Sequence, residues 1–383
     1  MSLFRAVLII FFGSIFFYVT HQLTRFADLS LGINLGVIAF LIFIFGLVLS
    51  MPFYFWSERR LKHEPWHDSF FSAAHFGMAY INFLVTFVIL RDVFAFIAEY
   101  TSKDFDVDVL YNSNSLGIML VLPLIFILLG TITVRVGPKL KPVTLFFPNL
   151  PADLEELRIL HITDLHISSS LPLSFVERLV KVANTSKADL VVYTGDILDS
   201  QAIRHLSEFE LLKQIKAPLG VYYVPGNHEY YWQVDQALAA FRAVGAEVLI
   251  NDTSLVRKGA AHLQIAGIPD PAALSFQLEG PDFKKLQTQA RSDSFRLLLS
   301  HQPSFADAAC EQGFDLQLSG HTHGGQFFPW NFLIGFFQKY AKGLYRIKNM
   351  QLYVNQGTGY WGPSLRLGTY CELTEIVLRK SQK

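Results

Sequence analysis

The chain has 383 residues, enough for two or three domains of ordinary size. Only 17% of the residues are charged, against roughly 25% in a typical soluble protein, and 35 residues are Phe. Lys and Arg balance Asp and Glu at 32 each, so the chain lacks the basic excess that a nucleic-acid partner requires. The composition therefore predicts a part that is solvated by lipid, and it predicts no nucleic-acid partner.

Residues 1–134 contain four long runs with few charges. Because about 20 apolar residues cross a bilayer as a helix, we predict a transmembrane helical domain. Its helices lie near residues 3–20, 31–56, 70–98 and 116–134. No clear small-x-small cleavage site follows the first run, which favours a retained helix over a signal peptide. A simple anchor accounts for these helices better than a transporter or channel, because they contain few polar residues.

Two short loops of this domain are basic, and basic short loops remain on the cytoplasmic side. The residues concerned are Arg59, Arg60 and Lys62 after the second helix, and Arg135, Lys139 and Lys141 after the fourth. The pattern predicts an integral membrane protein whose N-terminus and C-terminal domain both face the cytoplasm.

Arg91 and Asp92 lie inside the third apolar run. A charged residue in a membrane helix often marks a functional site. The simpler interpretation, which we favour, is that the pair marks the outer end of the helix, with Arg91 extending to the interface.

The character of the chain changes after the fourth run. Four prolines between 138 and 151 predict a linker over residues 135–156, followed by a second domain over 157–383. Short apolar runs at 158–162 and 190–193 read as buried strands, and the segment 174–186 between them has helical periodicity. This alternation predicts an α/β domain.

Five short polar motifs follow strand-like runs in this domain. They are Asp164-Leu165-His166, Gly195-Asp196, Gly226-Asn227-His228-Glu229, His301, and Gly320-His321-Thr322-His323. Alternate residues of an extended chain face the same side, which would pair Asp164 with His166 and His321 with His323. The carboxyl ends of strands form the ligand crevice of open α/β sheets. Oxygen and nitrogen ligands without thiolate suit Mn, Fe, Zn, Ni or Co, so the ordered set predicts a metal centre.

The ordered set resembles the calcineurin-like metallophosphoesterase superfamily, whose pattern is Asp-x-His, Gly-Asp, Gly-Asn-His-Asp/Glu, His and Gly-His-x-His. The segments Gly343-Leu344-Tyr345 and Gly357-Thr358-Gly359, with Glu372-Leu373-Thr374, resemble its bacterial membrane-associated branch. One departure is Cys371, where that branch usually has Pro. The resemblance implies a four-layer α/β/β/α sandwich and a protein of the bacterial inner membrane.

The resemblance also implies a site for two divalent metal ions, with Mn the first expectation and Fe, Zn, Ni or Co the alternatives. Asp164, His166 and His323 would hold the first ion, Asn227, His301 and His321 the second, and Asp196 would bridge both. His228 would stabilise the transition state or protonate the leaving group. Its alternative role is that of a buried histidine that supports Asn227.

The activity implied is hydrolysis of a phosphodiester or pyrophosphate bond by a metal-bridging hydroxide. The membrane helices make a lipid-linked substrate such as UDP-diacylglucosamine attractive. The alternatives are a broad-specificity phosphomonoesterase, and a non-catalytic membrane sensor or scaffold on an esterase fold. No protein partner is predicted.

Two further features bear on the substrate. The aromatic run Phe327–Phe337 is either a core segment or a lipid-facing flap next to the site. Arg366 is a candidate for phosphate contact, and solvent exposure or a surface salt bridge is the alternative.

Overall fold

The computed structural model describes residues 2–25, 29–55, 57, 61, 66–102 and 104–381. It divides into two compact units, Met1–Thr131 with Gly362–Leu365, and Ile132–Trp361 with Arg366–Lys383. Arg59, Arg60 and Lys62, which support the predicted orientation, lie outside the described residues.

The four predicted apolar helices are present. They are α1 (Ser2–Thr24), α2 (Leu31–Phe55), α3 (His67–Thr101) and α4 (Ser113–Val136). All four are long and apolar enough to cross a membrane. Leu41 and Leu84 are fully buried between the helices, whereas Phe17 and Phe96 are 70% and 72% exposed. Large apolar side chains on the outer surface fit a solvent of lipid rather than water.

The interpretation of Arg91 and Asp92 as a helix end is wrong. Helix α3 continues to Thr101, and Arg91 is only 7% exposed. Its guanidinium donates to Asp92 Oδ1 at 2.9 Å and to the Gln22 carbonyl at 3.1 Å. The Tyr18 hydroxyl donates to Asp92 Oδ2 at 2.6 Å. The two charges neutralise each other and are hydrogen-bonded, so they can lie between α1 and α3 rather than at the surface.

The second unit contains two six-stranded sheets. The first, in spatial order, consists of β1 (Lys139–Phe147), β12 (Glu372–Lys380), β2 (Arg158–Ile162), β3 (Leu190–Thr194), β4 (Val221–Val224) and β5 (Glu247–Val248). The second consists of β10 (Gly343–Ile347), β11 (Met350–Val354), β9 (Leu316–Ser319), β8 (Ser294–Ser300), β7 (Ala261–Ile268) and β6 (Asp252–Lys258). Strands β2 to β5 are parallel to one another, as are β7, β8, β9 and β11.

The layered arrangement of helices and sheets follows from the alternation of side chains between the two faces of each strand. Leu190 and Val192 of β3 join the apolar cluster between the two sheets, whereas Val191 and Tyr193 face a second cluster. That second cluster contains residues of α5 (Leu173–Ala183), α6 (Leu206–Leu212) and α8 (Val234–Ala243). Residues of α9 (Phe283–Thr288) and α10 (Ala306–Glu311) pack against the second sheet. The α/β/β/α architecture is confirmed. Two further helices, α7 (Asn227–Tyr231) and α11 (Trp330–Phe337), lie beside the site.

The segment 135–156 is not a linker throughout. Residues Lys139–Phe147 form β1, which pairs in parallel with β12 over its whole length. Pro142 misled the sequence interpretation, because proline cannot donate to a neighbouring strand. β1 is an edge strand, where one side of the backbone needs no partner, and Pro142 is therefore tolerated.

Candidate metal centre and active site

The five motifs lie in the segments that follow β2, β3, β4, β8 and β9, and the structure brings them together. Their local conformation differs from the expectation of extended chain. Positive φ angles of 51° to 74° occur at five of the residues concerned: Asp164, His166, Asp196, His321 and His323. Such angles cost roughly 1–3 kcal/mol each at non-glycine residues. Left-handed turns, rather than strand alternation, direct these side chains to one place.

The first group contains Asp164, His166 and His323. The Nε2 atoms of His166 and His323 lie 3.0 Å apart, and His323 Nε2 lies 3.3 Å from Asp164 Oδ1. Two neutral imidazoles that face each other through nitrogen repel unless a proton or a cation lies between them. Atoms that share one cation at about 2.1 Å are separated by such distances. The group therefore has the donor set and spacing of a metal site.

The second group contains Asp196, His301 and His321. Asp196 Oδ2 lies 3.1 Å from His301 Nε2, and His301 Nε2 lies 3.2 Å from His321 Nδ1. The same Oδ2 atom lies 3.9 Å from His166 Nε2 of the first group. Burial opposes the charge on Asp196, but His301 and His228 hold its pKa well below the usual range. Asp196 thus lies as an anion between the two groups.

Asn227 provides an independent indication of fit. Its side-chain oxygen is buried and has no hydrogen-bond partner among the described residues. A buried amide oxygen without a partner costs about 1–3 kcal/mol, so such an atom calls for an explanation. A cation beside the second group would supply its partner.

Two motif glycines permit the close approach of these loops. A Cβ atom at Gly320 would lie 2.0 Å from Asp164 Oδ2, and one at Gly226 would lie 2.3 Å from Asp196 Oδ1. Both distances are shorter than any real contact, so a side chain at either position would displace a carboxylate of the centre.

Glu229, the last residue of the third motif, has a scaffolding role. Its carboxylate accepts hydrogen bonds from the backbone N–H groups of Asp196, Ile197, Leu198 and Gly226 at 2.7 to 3.0 Å. These bonds join the loop after β3 to the loop after β4, and so fix Asp196 relative to Asn227.

The ring of His301 is oriented by a hydrogen bond to the nitrogen that faces away from Asp196. Its Nδ1 atom donates to the Thr194 carbonyl at 2.8 Å, which leaves Nε2 free to face Asp196. Such a hydrogen bond to the far nitrogen fixes the tautomer of a metal-binding histidine.

His228 lies beside Asp196, with Nε2 3.9 Å from Asp196 Oδ2. Its Nδ1 atom donates to Asp199 Oδ1 at 2.7 Å, and Trp232 Nε1 donates to the same oxygen at 2.9 Å. Burial opposes protonation of His228, but Asp199 and Asp196 outweigh it and raise its pKa to about 9. The sequence interpretation missed Asp199, although its position three residues after Asp196 was a signal that could have identified it.

Arg366 is fully buried, so neither solvent exposure nor a surface salt bridge describes it. Its guanidinium donates to the carbonyls of Gly359 and His323 at 2.7 and 3.2 Å. Nη2 lies 3.2 Å from Nδ1 of the His323 ring. These contacts fix both the backbone and the ring of His323 and favour a positioning role over phosphate contact.

Residues 157–325 match the family described as calcineurin-like phosphoesterase. The chain is 34% identical over 244 residues to an uncharacterized metallophosphoesterase of Campylobacter jejuni, which covers 63% of this chain and 63% of that protein. It is 33% identical over 271 residues to a Danio rerio transmembrane protein with metallophosphoesterase domain, covering 68% and 62% respectively.

A third relative is an uncharacterized metallophosphoesterase of Aquifex aeolicus, 30% identical over 217 residues, which cover 55% of this chain and 81% of that protein. The matches to the first two relatives span less than two thirds of their length. The motifs, their convergence in the fold and these similarities agree, and the chain belongs to the calcineurin-like metallophosphoesterase family.

Proposed function

We propose that this protein is a membrane-anchored phosphohydrolase that uses two divalent metal ions, Mn²⁺ in the first instance, to cleave a phosphodiester or pyrophosphate bond. The observation that carries the proposal is the position of Asp196. Its Oδ2 atom lies 3.1 Å from His301 and 3.9 Å from His166, between two groups of potential ligands.

Asp164, His166 and His323 would hold one ion, Asn227, His301 and His321 the other, and Asp196 would contact both. Two such ions lower the pKa of a water molecule and neutralise charge on the phosphoryl oxygens. The chain itself keeps the ligands in place through Glu229, Thr194 and Arg366, so little reorganisation is needed during the reaction.

His228 is the proposed general acid. In hydrolysis, a water molecule that has released one proton to solvent forms a bond to phosphorus through its oxygen, while the bond from phosphorus to the leaving oxygen breaks. The leaving oxygen then needs a proton, which protonated His228 supplies. Asp199 holds the ring by its 2.7 Å hydrogen bond and stabilises the protonated form, so the donor is positioned and charged before substrate arrives.

The proposed substrate class is a lipid-linked phosphoester or diphosphate, of which UDP-diacylglucosamine is one candidate. The support for it is chemical: the same chain combines four apolar helices with a candidate phosphoester site, so the α/β unit is covalently tethered to the membrane helices. The basic residues Arg135, Lys139 and Lys141 support a cytoplasmic location of the α/β unit at a bacterial inner membrane. A C-terminal green fluorescent protein fusion should fluoresce, and a C-terminal alkaline phosphatase fusion should be inactive.

The decisive experiment is a turnover assay on the purified full-length chain. We expect hydrolysis of bis(p-nitrophenyl) phosphate that is lost with EDTA and restored by Mn²⁺. The Asn227→Ala variant should bind fewer metal ions per chain and lose activity. A preparation that binds two ions per chain, but hydrolyses neither diesters, monoesters nor diphosphates, would instead favour the sensor or scaffold alternative.

A further inference from the structure

One surface of the α/β unit does not follow the rule that apolar side chains lie inside. It is formed by α11, and we call it the α11 surface: Trp330, Phe332, Leu333, Phe336 and Phe337. Phe336 is 85% exposed, and Phe332 and Phe337 are each 71% exposed. No residue of α11 is buried. The helix is therefore not a core segment, which was one of the two interpretations of the aromatic run Phe327–Phe337. An exposed apolar patch of this kind marks an interaction site.

The α11 surface is attached firmly to the site. The preceding Phe327 is 7% exposed, so the base of the helix is buried although the helix is not. The Gln326 side chain accepts from Trp361 N at 2.9 Å and donates to Trp361 O at 2.8 Å. Leu367 N donates to the Gln326 carbonyl at 3.2 Å. The exposed position of α11 is thus supported by hydrogen bonds of the segment that directly follows His323.

Trp361 is a further exposed apolar residue, and it lies beside the proposed general acid His228. Its ring centroid lies 6.0 Å from that of His228, and 40% of the residue is exposed. Through its pair of bonds with Gln326, Trp361 is joined to the chain that leads into α11. Apolar groups are therefore present both at the proposed general acid and on the nearby helix.

The chain connectivity favours lipid as the occupant of the α11 surface. Helix α4, a candidate membrane span, ends at Val136, and β1 begins at Lys139. Three Cα–Cα steps of about 3.8 Å connect them, so the first strand of the α/β unit begins within roughly 11 Å of the end of α4. A surface of Phe and Trp side chains on a unit tethered so closely to a bilayer has the composition of an interfacial anchor.

The charge of the residues that follow α11 also favours lipid as the occupant. Residues 330–348 contain no acidic side chain and four basic ones, Lys339, Lys342, Arg346 and Lys348. The ammonium group of Lys339 lies 2.7 Å from Asp307, and Lys342 and Arg346 are exposed. Basic residues that flank an exposed aromatic helix are complementary to anionic lipid head groups.

We propose that the α11 surface lies in the head-group region of the bilayer and admits the alkyl chain of an amphiphilic phosphoester, whose phosphoryl group reaches the metal centre past Trp361. This inference rests on the proposed function for its chemistry, but the location of the α11 surface can be tested without turnover.

The location is tested by photo-crosslinking. Phe336→p-benzoylphenylalanine is introduced into the full-length chain, which is reconstituted in vesicles of phosphatidylethanolamine and phosphatidylglycerol. The matched control is Leu274→p-benzoylphenylalanine, because Leu274 is 64% exposed on the turn Pro271–Phe276. We expect phospholipid adducts, detected by mass spectrometry, at position 336 and few at position 274. Equal yields at both positions, or crosslinks at 336 to a second copy of the chain instead of lipid, would overturn the inference.

The consequence for catalysis is tested with two diesters that share a leaving group, ethyl p-nitrophenyl phosphate and hexadecyl p-nitrophenyl phosphate. The double variant Phe336→Ser with Phe337→Ser should lower kcat/KM for the hexadecyl ester by about tenfold or more, since two large apolar contacts are removed. The value for the ethyl ester should stay within about twofold of the parent, as for the control Leu274→Ser, since the ethyl ester has no long alkyl chain to contact α11 and substitutions of exposed residues have small effects.

Equal losses on both esters, or no loss on either, would contradict the role of the α11 surface in substrate access. If the parent protein with Mn²⁺ hydrolyses neither ester and no monoester or diphosphate, the proposed function fails, and the crosslinking result still decides where α11 lies.

Discussion

Both units of this protein bury charged side chains, but they do so in different ways. In the helical unit, Arg91 and Asp92 form a pair at 2.9 Å that also binds Tyr18 and Gln22. Within the described residues, no buried side-chain nitrogen or oxygen atom of Arg91 or Asp92 lacks a hydrogen-bond partner. In the α/β unit, Asn227 Oδ1 and His166 Nδ1 are buried with no hydrogen-bond partner among the described residues, and the two ligand groups converge.

The difference distinguishes a structural cluster from a chemical one. Opposite charges that satisfy each other stabilise one arrangement of helices and need nothing from outside. Imidazole nitrogens and carboxylates that face one another without enough protons remain unsatisfied until a cation binds. The unsatisfied acceptors of the α/β cluster therefore predict a function in cation binding. The hydrogen-bonded Arg91–Asp92 cluster predicts a structural role.

The largest expected effect tests whether the α/β cluster depends on cations. Asp196→Asn removes the negative charge that lies between the two ligand groups, so kcat/KM for bis(p-nitrophenyl) phosphate should fall by about 10³-fold or more. Metal content, measured by inductively coupled plasma mass spectrometry, should fall as well. Asp293→Asn, which changes an exposed aspartate paired with Arg291, is the control. An Asp196→Asn variant with parental metal content and turnover would show that the cluster is structural.

The second-largest expected effect tests whether Arg91 and Asp92 in the helical unit neutralise each other without a bound ion. Arg91→Leu leaves Asp92 without its cation and should lower the free energy of unfolding in detergent by about 3 kcal/mol. Adding Asp92→Leu removes the orphaned charge and should recover much of that loss. Turnover by the folded fraction should not change. If the double variant is no more stable than Arg91→Leu alone, neutralisation of Asp92 by Arg91 does not account for the stability that Arg91 contributes.

Asp199 tests the proton-donor role within the chemical cluster. Asp199→Asn removes the carboxylate that orients and charges His228, so kcat should fall by about 100-fold. The loss should be larger for a phenol leaving group than for p-nitrophenol, because the poorer leaving group depends more on protonation. Trp232→Phe, which removes the other donor to Asp199, should have a smaller effect. Identical losses with both leaving groups would contradict a role in proton transfer.

Arg366 gives the smallest expected effect and refines the description of the first ligand group. Arg366→Ala removes the contacts to the ring and backbone of His323, and the affinity for Mn²⁺ should fall by about tenfold. Isothermal titration calorimetry measures this, and activity should return at saturating Mn²⁺. An unchanged Mn²⁺ affinity with a raised KM would instead restore the original expectation of direct phosphate contact.

Most of the candidate metal centre could be predicted from the sequence, because each proposed ligand belongs to a short motif that follows an apolar strand. The seven proposed ligands, apart from Asn227, all occur in the candidate metal-binding groups of the structure. Asp199 was missed, although it lies three residues after Asp196 in the same loop, because its role depends on a contact with His228 that only the fold provides. The conformation of the ligand loops was also missed, since positive φ at non-glycine residues has no reliable signature in the chain.

Other features were misread because local signals conflicted with tertiary context. The prolines of residues 135–156 suggested a linker, but the edge position of β1 removes the penalty at Pro142. Arg91 suggested a helix end, but Asp92, Tyr18 and the Gln22 carbonyl allow it to be buried. The phosphate contact suggested for Arg366 stays a prediction, and the protein groups that the guanidinium contacts in the structure favour a positioning role.

The residue types along the chain were enough to predict which part is solvated by lipid and which metals the candidate centre suits. Long uncharged runs favour lipid, and an ordered set of Asp, Asn and His residues without thiolate suits a hard or borderline metal. The chain alone could not show which polar atoms are hydrogen-bonded and which apolar helix is exposed. Both properties depend on contacts between residues that are distant in the chain, such as His166 with His323 and Gln326 with Trp361.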